Sequence, residues 1–311
     1  MSQTVFQLTN DFTKGGADYQ VKAAFFSAMG HICAVSFIAC FLCLRKNHLN
    51  KAVPIIVAIG LANSLYTIAG YYFGFGKLPM SIGYSGLIDY ASANSALIAT
   101  CSIPLLAMGH KLSFVGLAVN LIAIALGLSA IPYGVLSIGI AAYLFASRSI
   151  KKELWAVYLT ATSAPLIVYL CVDGIEAFTS AKRFTAYYYF MSTWWKSKFV
   201  LFGTGPSTFA AVSEEIQKRT GFDVLKDGSI YWWKYLHSDV LLVPFQWGLC
   251  GLLLFSVVTF EVFKRLYDKK ESQVFSVAAC LFASAIFGYP SSFALPAGLI
   301  TFCVVYAYTK D

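Results

Sequence analysis

The sequence predicts an all-α, polytopic integral membrane protein, with about nine transmembrane helices and one long outer loop between the sixth and the seventh. Three observations predict it. Of 311 residues, 58% are hydrophobic and only 12% are charged, where a soluble domain carries about 25% charged residues. The apolar residues fall into runs whose middles lack Asp, Glu, Lys and Arg. One long polar interruption, residues 173–239, divides the runs into two groups. The net charge of +8 is then a topology signal carried by loops. Membrane lipids are the expected surroundings, and no nucleic-acid partner is expected.

A spanning helix needs roughly 20 mostly apolar residues. Residues 1–20 form a polar tail without the basic region and apolar core of a cleavable signal. A first bundle, residues 21–172, holds six runs: Val21–Leu44, Ala52–Phe73, Tyr90–Met108, Leu112–Leu128, Tyr133–Ala146 and Leu154–Val172. A second bundle, residues 240–311, holds three: Val240–Phe260, Val274–Phe287 and Phe293–Tyr308. The fourth and fifth runs are joined by Ser129-Ala130-Ile131-Pro132, which contains a helix breaker. The eighth and ninth are joined by the turn Gly288-Tyr289-Pro290-Ser291-Ser292.

Basic residues fill alternate short connections: Arg45, Lys46 and Lys51; Lys111; Arg148, Lys151 and Lys152; and Lys264, Arg265, Lys269 and Lys270. The positive-inside rule puts these in the cytoplasm, with the N-terminus and the long loop outside and the C-terminus inside. The chain is then a multi-pass membrane protein with its long loop on the outer face. All eight cysteines lie in or at the ends of apolar runs. Neither a disulfide framework nor a zinc site is expected from them.

Charged residues inside a membrane mark function. Their absence from the run middles argues against a proton-coupled carrier and moves chemistry to the loop at 173–239. Phe178–Val200 reads as an interfacial helix. It carries Tyr187, Tyr188, Tyr189, Phe190, Trp194 and Trp195, with Lys182, Arg183, Lys196 and Lys198 at its ends. Such a helix would hold Arg183 at headgroup depth, where its planar fork suits phosphate oxygens. Snorkelling to lipid phosphates is the plainer use of the same placement.

Gly203-Thr204-Gly205-Pro206 permits tight backbone geometry, as a structural turn or as an anion nest. Of the four histidines, His48 and His110 lie in inner loops and His31 in an apolar run. His237 alone stands at the outer edge, with the side chain best suited to proton transfer near neutral pH. Asp239 cannot share a helix face with it and suits the N-terminus of the seventh span as a cap.

An arginine before an aromatic helix, a G-x-G turn, a charged stretch and a histidine opening a Gly-x-x-Gly helix together resemble the O-antigen ligase and polymerase superfamily of bacterial membrane glycosyltransferases. The closing signature here is His237-Ser238-Asp239-Val240-Leu241 with Trp247-Gly248-Leu249-Cys250-Gly251. The family more often has His-Asn at the start and a Glu before the first glycine, so Ser238 and Gln246 depart from it. The likeness covers roughly Gly83 to Phe255 and is strongest in the second half. Gly83-Tyr84-Ser85-Gly86 through Asn94-Ser95-Ala96-Leu97-Ile98-Ala99 is similar to the family's glycine and asparagine stretch. An ordinary loop with a capping Asn is the alternative there.

Where many members have Ser-Arg-Gly, this chain has Pro132-Tyr133-Gly134. The arginine missing at Tyr133 is lost or replaced from elsewhere, with Lys182 and Arg219 as candidates. Members also carry more spans ahead of the loop, so the front is about three spans short, as in an N-terminally shortened gene.

The resemblance implies a metal-independent transferase without a cofactor. Its donor is a glycan on undecaprenyl diphosphate, and its acceptor is lipid A–core, another glycan or a protein hydroxyl. It implies His237 as proton acceptor and Arg183 at the leaving diphosphate. Lys182, Arg219, Gly203, Gly205 and Asp239 then stand around the substrate. A non-catalytic carrier of lipid-linked sugar, or a degenerate remnant, is the reading from another class.

Overall fold

The computed structural model describes residues 52–74, 91–108, 111–129, 131–147, 183–205, 209–220, 225–226, 229–230, 236, 238–288 and 294–309. The expected spans Val21–Leu44 and Leu154–Val172 lie outside the described residues, as does the stretch 83–90. The helices are α1 (Ala52–Phe73), α2 (Ala91–Met108), α3 (Lys111–Leu126), α4 (Ile131–Ser147), α5 (Arg183–Trp195), α6 (Phe209–Thr220), α7 (Asp239–Asp268), α8 (Ser272–Phe287) and α9 (Ala294–Tyr308). One departure from an all-helical chain is a short antiparallel ladder. It pairs Leu225 with Ile230 and Lys226 with Ser229.

Helix ends follow the apolar runs except in the seventh, where α7 continues eight residues past Phe260 and takes in Lys264 and Arg265, expected in a connection. α1 coincides with its run, and α2, α3, α4, α8 and α9 differ from theirs by one or two residues. Among the described residues, three helices are long and apolar enough to cross a membrane: Val53–Phe73, Ala91–Met108 and Asp239–Asp268. α3, α4, α8 and α9 are apolar but shorter.

The chain divides into two compact units. One contains residues 40–172 and 260–311. Its axis is α2, buried continuously from Asn94 to Leu105 and packed against α1, α3, α4 and α8. Ile98 and Ile103 of α2 meet Ile124 of α3, Val135 and Ile140 of α4 and Cys280 of α8 in one core. Small residues permit this closeness: a methyl group at Gly139 would collide with the Cys280 Sγ.

Polar residues within these apolar helices satisfy one another. Asn63 Nδ2 donates to Asn94 Oδ1 at 2.7 Å, and Asn94 Nδ2 donates to Thr67 Oγ1 at 3.1 Å. Ser64 Oγ donates to Asn120 Oδ1 at 2.8 Å, and Asn120 Nδ2 donates to Ser102 Oγ at 3.0 Å. All six side chains are fully buried, and together they tie α1, α2 and α3 pairwise. Asn94 is therefore neither a loop residue nor a cap: it lies inside α2 and bonds across to α1.

The basic turn after α7 closes the end of α9. Lys269 Nζ donates to the carbonyls of Thr309 and Tyr306, where a cation suits the negative end of a helix. The Arg265 guanidinium lies 4.4 Å from the Tyr308 ring centroid and bonds Glu261 at 2.7 Å.

Candidate functional site

The other unit contains residues 1–39 and 173–259; its described part is α5 with the turn that follows it, α6, the ladder and α7 as far as Thr259. α5 buries Ala186, Phe190 and Trp194, four residues apart and so on one face. α6 buries Phe209 and Ile216 in the same cluster, and α7 adds Phe245, with Leu236 just ahead of the helix. Phe209 joins the helices by edge-to-face contacts. It lies 5.1 Å from the Phe190 ring and 5.2 Å from the Phe245 ring, at angles of 68° and 71°. The aromatic stretch expected to face the membrane interface therefore divides. Phe190 and Trp194 are core, while Tyr188 and Trp195 remain exposed.

The seventh run, expected as one continuous span, is broken. Gly248 has φ 70° and ψ −168°, and Pro244 precedes it. In an unbroken helix the amides of Leu249 and Cys250 would donate to the carbonyls of Phe245 and Gln246. Here they donate instead to Val200 O at 2.9 Å and Leu201 O at 3.2 Å. The two abandoned carbonyls accept from Thr204 N at 2.9 Å and Gly205 N at 2.8 Å. Thr204 Oγ1 adds a bond to Phe245 O at 3.1 Å.

The turn after α5 is thus spliced into α7, and each opened helical bond is closed by the turn. Glycine is required on both sides. A methyl at Gly203 would fall on the Gln246 carbonyl and the Trp247 nitrogen, and one at Gly248 on the Leu201 carbonyl and the Phe202 nitrogen. Both positions, and Gly205, have positive φ, which glycine adopts at little cost.

The splice changes the reading of Gly203-Thr204-Gly205 as an anion nest. All three amides donate to main-chain carbonyls, Gly203 N to Phe199 O at 2.6 Å. The amides of Gly203 and Gly205 are thus committed to the main chain.

The start of α7 also differs from expectation. Ser238 is the cap: its Oγ accepts from Leu241 N at 3.3 Å, and its carbonyl accepts from Leu242 N at 3.0 Å. Asp239 is the first helical residue and is buried, where a carboxylate favours the helix N-terminus. Serine and asparagine rank together as N-caps, so the departure at Ser238 from His-Asn preserves the capping chemistry.

Arg183 is the first residue of α5 and Arg219 lies in the last turn of α6; their side chains lie outside the described residues, as do Lys182 and His237. Leu236 and Ser238, on either side of His237, are both buried. α5, α6 and the start of α7 are thereby gathered into one unit, with Asp239 opening α7. No family model and no curated sequence matches the chain. The exposed face of α6 carries an ion pair of Lys218 with Glu214 at 2.6 Å. That hydrogen bond and charge raise the lysine's pKa.

Sequence reasoning missed Thr204, Ser238 as a cap, and the break at Gly248. Only the break had a local signal, Pro244 and Gly248 inside one apolar run.

Proposed function

We propose that the chain is an O-antigen ligase-like glycosyltransferase of a bacterial inner membrane. It moves a glycan from undecaprenyl diphosphate to an acceptor hydroxyl on lipid A–core, a glycan or a protein at the periplasmic face. A polymerase of the same superfamily uses the same donor. The observation that carries the reading is the signature His237-Ser238-Asp239 with Trp247-Gly248-Leu249-Cys250-Gly251. Two departures or special positions in it have physical sense: Ser238 caps α7, and Gly248 receives the turn that follows α5.

In the reaction, the acceptor oxygen forms a bond to the anomeric carbon while the bond from that carbon to the diphosphate oxygen breaks. The hydroxyl proton passes to the His237 imidazole, and Arg183 stabilises the departing diphosphate charge. Lys182 and Arg219 are further cations for the phosphates.

A carrier is less well supported. Transporters use half-helix ends at a break to hold ions or substrate, whereas this break is filled by the chain's own backbone. Expression in a ligase-null strain and in a polymerase-null strain tests the proposal. Restored capping of lipopolysaccharide, or restored chain ladders, is expected in one of them. Repair of neither defect, with the protein present in the membrane, would count against the enzyme.

A further inference from the structure

We infer that the outer surface of the membrane crosses α7 at the splice around Gly248, and that the spliced turn is a lipid anchor for anionic headgroups. The inference rests on α7 crossing a membrane, not on the transferase reading. Exposure along α7 changes character at the break. Before it, Leu241, Leu242 and Phe245 pack into the cluster made by α5 and α6. After it, Leu249 still touches that cluster, whereas Leu253, Leu254 and Val257 are bare, with exposures of 67%, 65% and 56%. A protein-wrapped arm is followed by an unwrapped apolar one, as expected where a helix passes from an outer headpiece into acyl chains.

The residues at the junction have interfacial chemistry. Trp195 and Trp247 are exposed, and tryptophan prefers headgroup level. Lys196 and Lys198 are exposed beside them and complement anionic lipid phosphates. Leu201 and Phe202, at the tip of the turn, are exposed apolar side chains suited to the acyl boundary.

Depth-dependent fluorescence quenching of the full chain in vesicles containing phosphatidylglycerol tests this. A bimane label is placed at Phe202→Cys, Leu254→Cys or Lys218→Cys, with labelled wild type giving the background of the native cysteines. Phe202 should be quenched most by a nitroxide near the glycerol end of the acyl chain. Leu254 should be quenched most by one at mid-chain, and Lys218 only by aqueous iodide. Replacing Lys196 and Lys198 by Gln should remove the gain in shallow quenching that phosphatidylglycerol gives over phosphatidylcholine alone. Leu201→Cys supplies the same reading should Phe202→Cys not fold. Iodide quenching of Phe202 equal to that of Lys218, or maximal quenching at mid-chain, would overturn the assignment. Iodide quenching of Leu254 would instead remove the membrane span on which it rests.

Discussion

Replacing Gly248 by alanine should open the splice, and the structure says how. Four main-chain bonds hold it, two from the turn to α7 and two from α7 to the turn. A methyl at 248 would land on the Leu201 carbonyl and the Phe202 nitrogen, backbone atoms that cannot rotate aside. Keeping the backbone as it is would also cost about 1–3 kcal/mol for a residue outside its allowed region. The alternative is for α7 to straighten, since alanine is the best helix former. Straightening loses these four bonds and the Thr204 hydroxyl bond and regains two internal ones, a net loss of three bonds, or about 1.5–4.5 kcal/mol at 0.5–1.5 kcal/mol per bond. The backbone collision blocks the other route, so Gly248→Ala should destabilise the fold by about 1.5–4.5 kcal/mol and release the turn.

Gly203→Ala collides with Gln246 and Trp247 from the other side and should produce the same opened state. The double variant should then cost little more than either single one, because both changes break one unit. Unfolding in mixed detergent micelles, with limited proteolysis at residues 196–202, measures both effects. Wild-type stability and protection in Gly248→Ala would refute the splice, and so would simple additivity in the double variant.

Arg183→Ala should abolish nearly all glycan transfer in a membrane assay at matched protein levels, while Arg183→Lys keeps a fraction. The lost charge-assisted contact is worth about 1.5–3 kcal/mol, and lysine supplies the charge without the planar fork. Ser238→Ala should destabilise the unit by about 1 kcal/mol in the same unfolding assay, and Ser238→Asn should be close to neutral. Lys269→Ala should cost about 1–2 kcal/mol through the uncapped end of α9. Faster amide exchange at the C-terminal turn of α9 would accompany it, and Lys269→Arg should recover most of the loss.

Hydropathy carried the helices well because burial in an apolar medium is written along the chain. The run Ala52–Phe73 is α1, and the runs for α2, α3, α4, α8 and α9 fall within two residues of the helices. What hydropathy does not record is where a backbone amide finds its acceptor. Val240–Phe260 reads as one span, yet its hydrogen bonds are shared with residues some 40 positions earlier, Thr204 with Phe245 being one such pair. The small polar residues Asn63, Asn94 and Asn120 have the same history. Within their own runs they look like minor interruptions, and only packing shows them as mutual partners. At the candidate site, the histidine and arginine stand out by their chemistry and by the motif that surrounds them. Ser238 and Gly248 of that motif have structural duties that no residue scale distinguishes from ordinary loop and helix positions.

Turnover of a lipid-linked glycan donor by His237→Gln, measured beside wild type across pH, tests the central claim most directly. Glutamine can donate a hydrogen bond but cannot accept the hydroxyl proton at these pH values. A protonated imidazole cannot accept the hydroxyl proton, so wild-type turnover should fall toward acid pH on a single-group limb. His237→Gln should bind donor normally, turn over roughly 10²–10⁴-fold more slowly, and lose that limb. Wild-type turnover in His237→Gln with the acidic limb intact would contradict His237 as the base and the mechanism built on it.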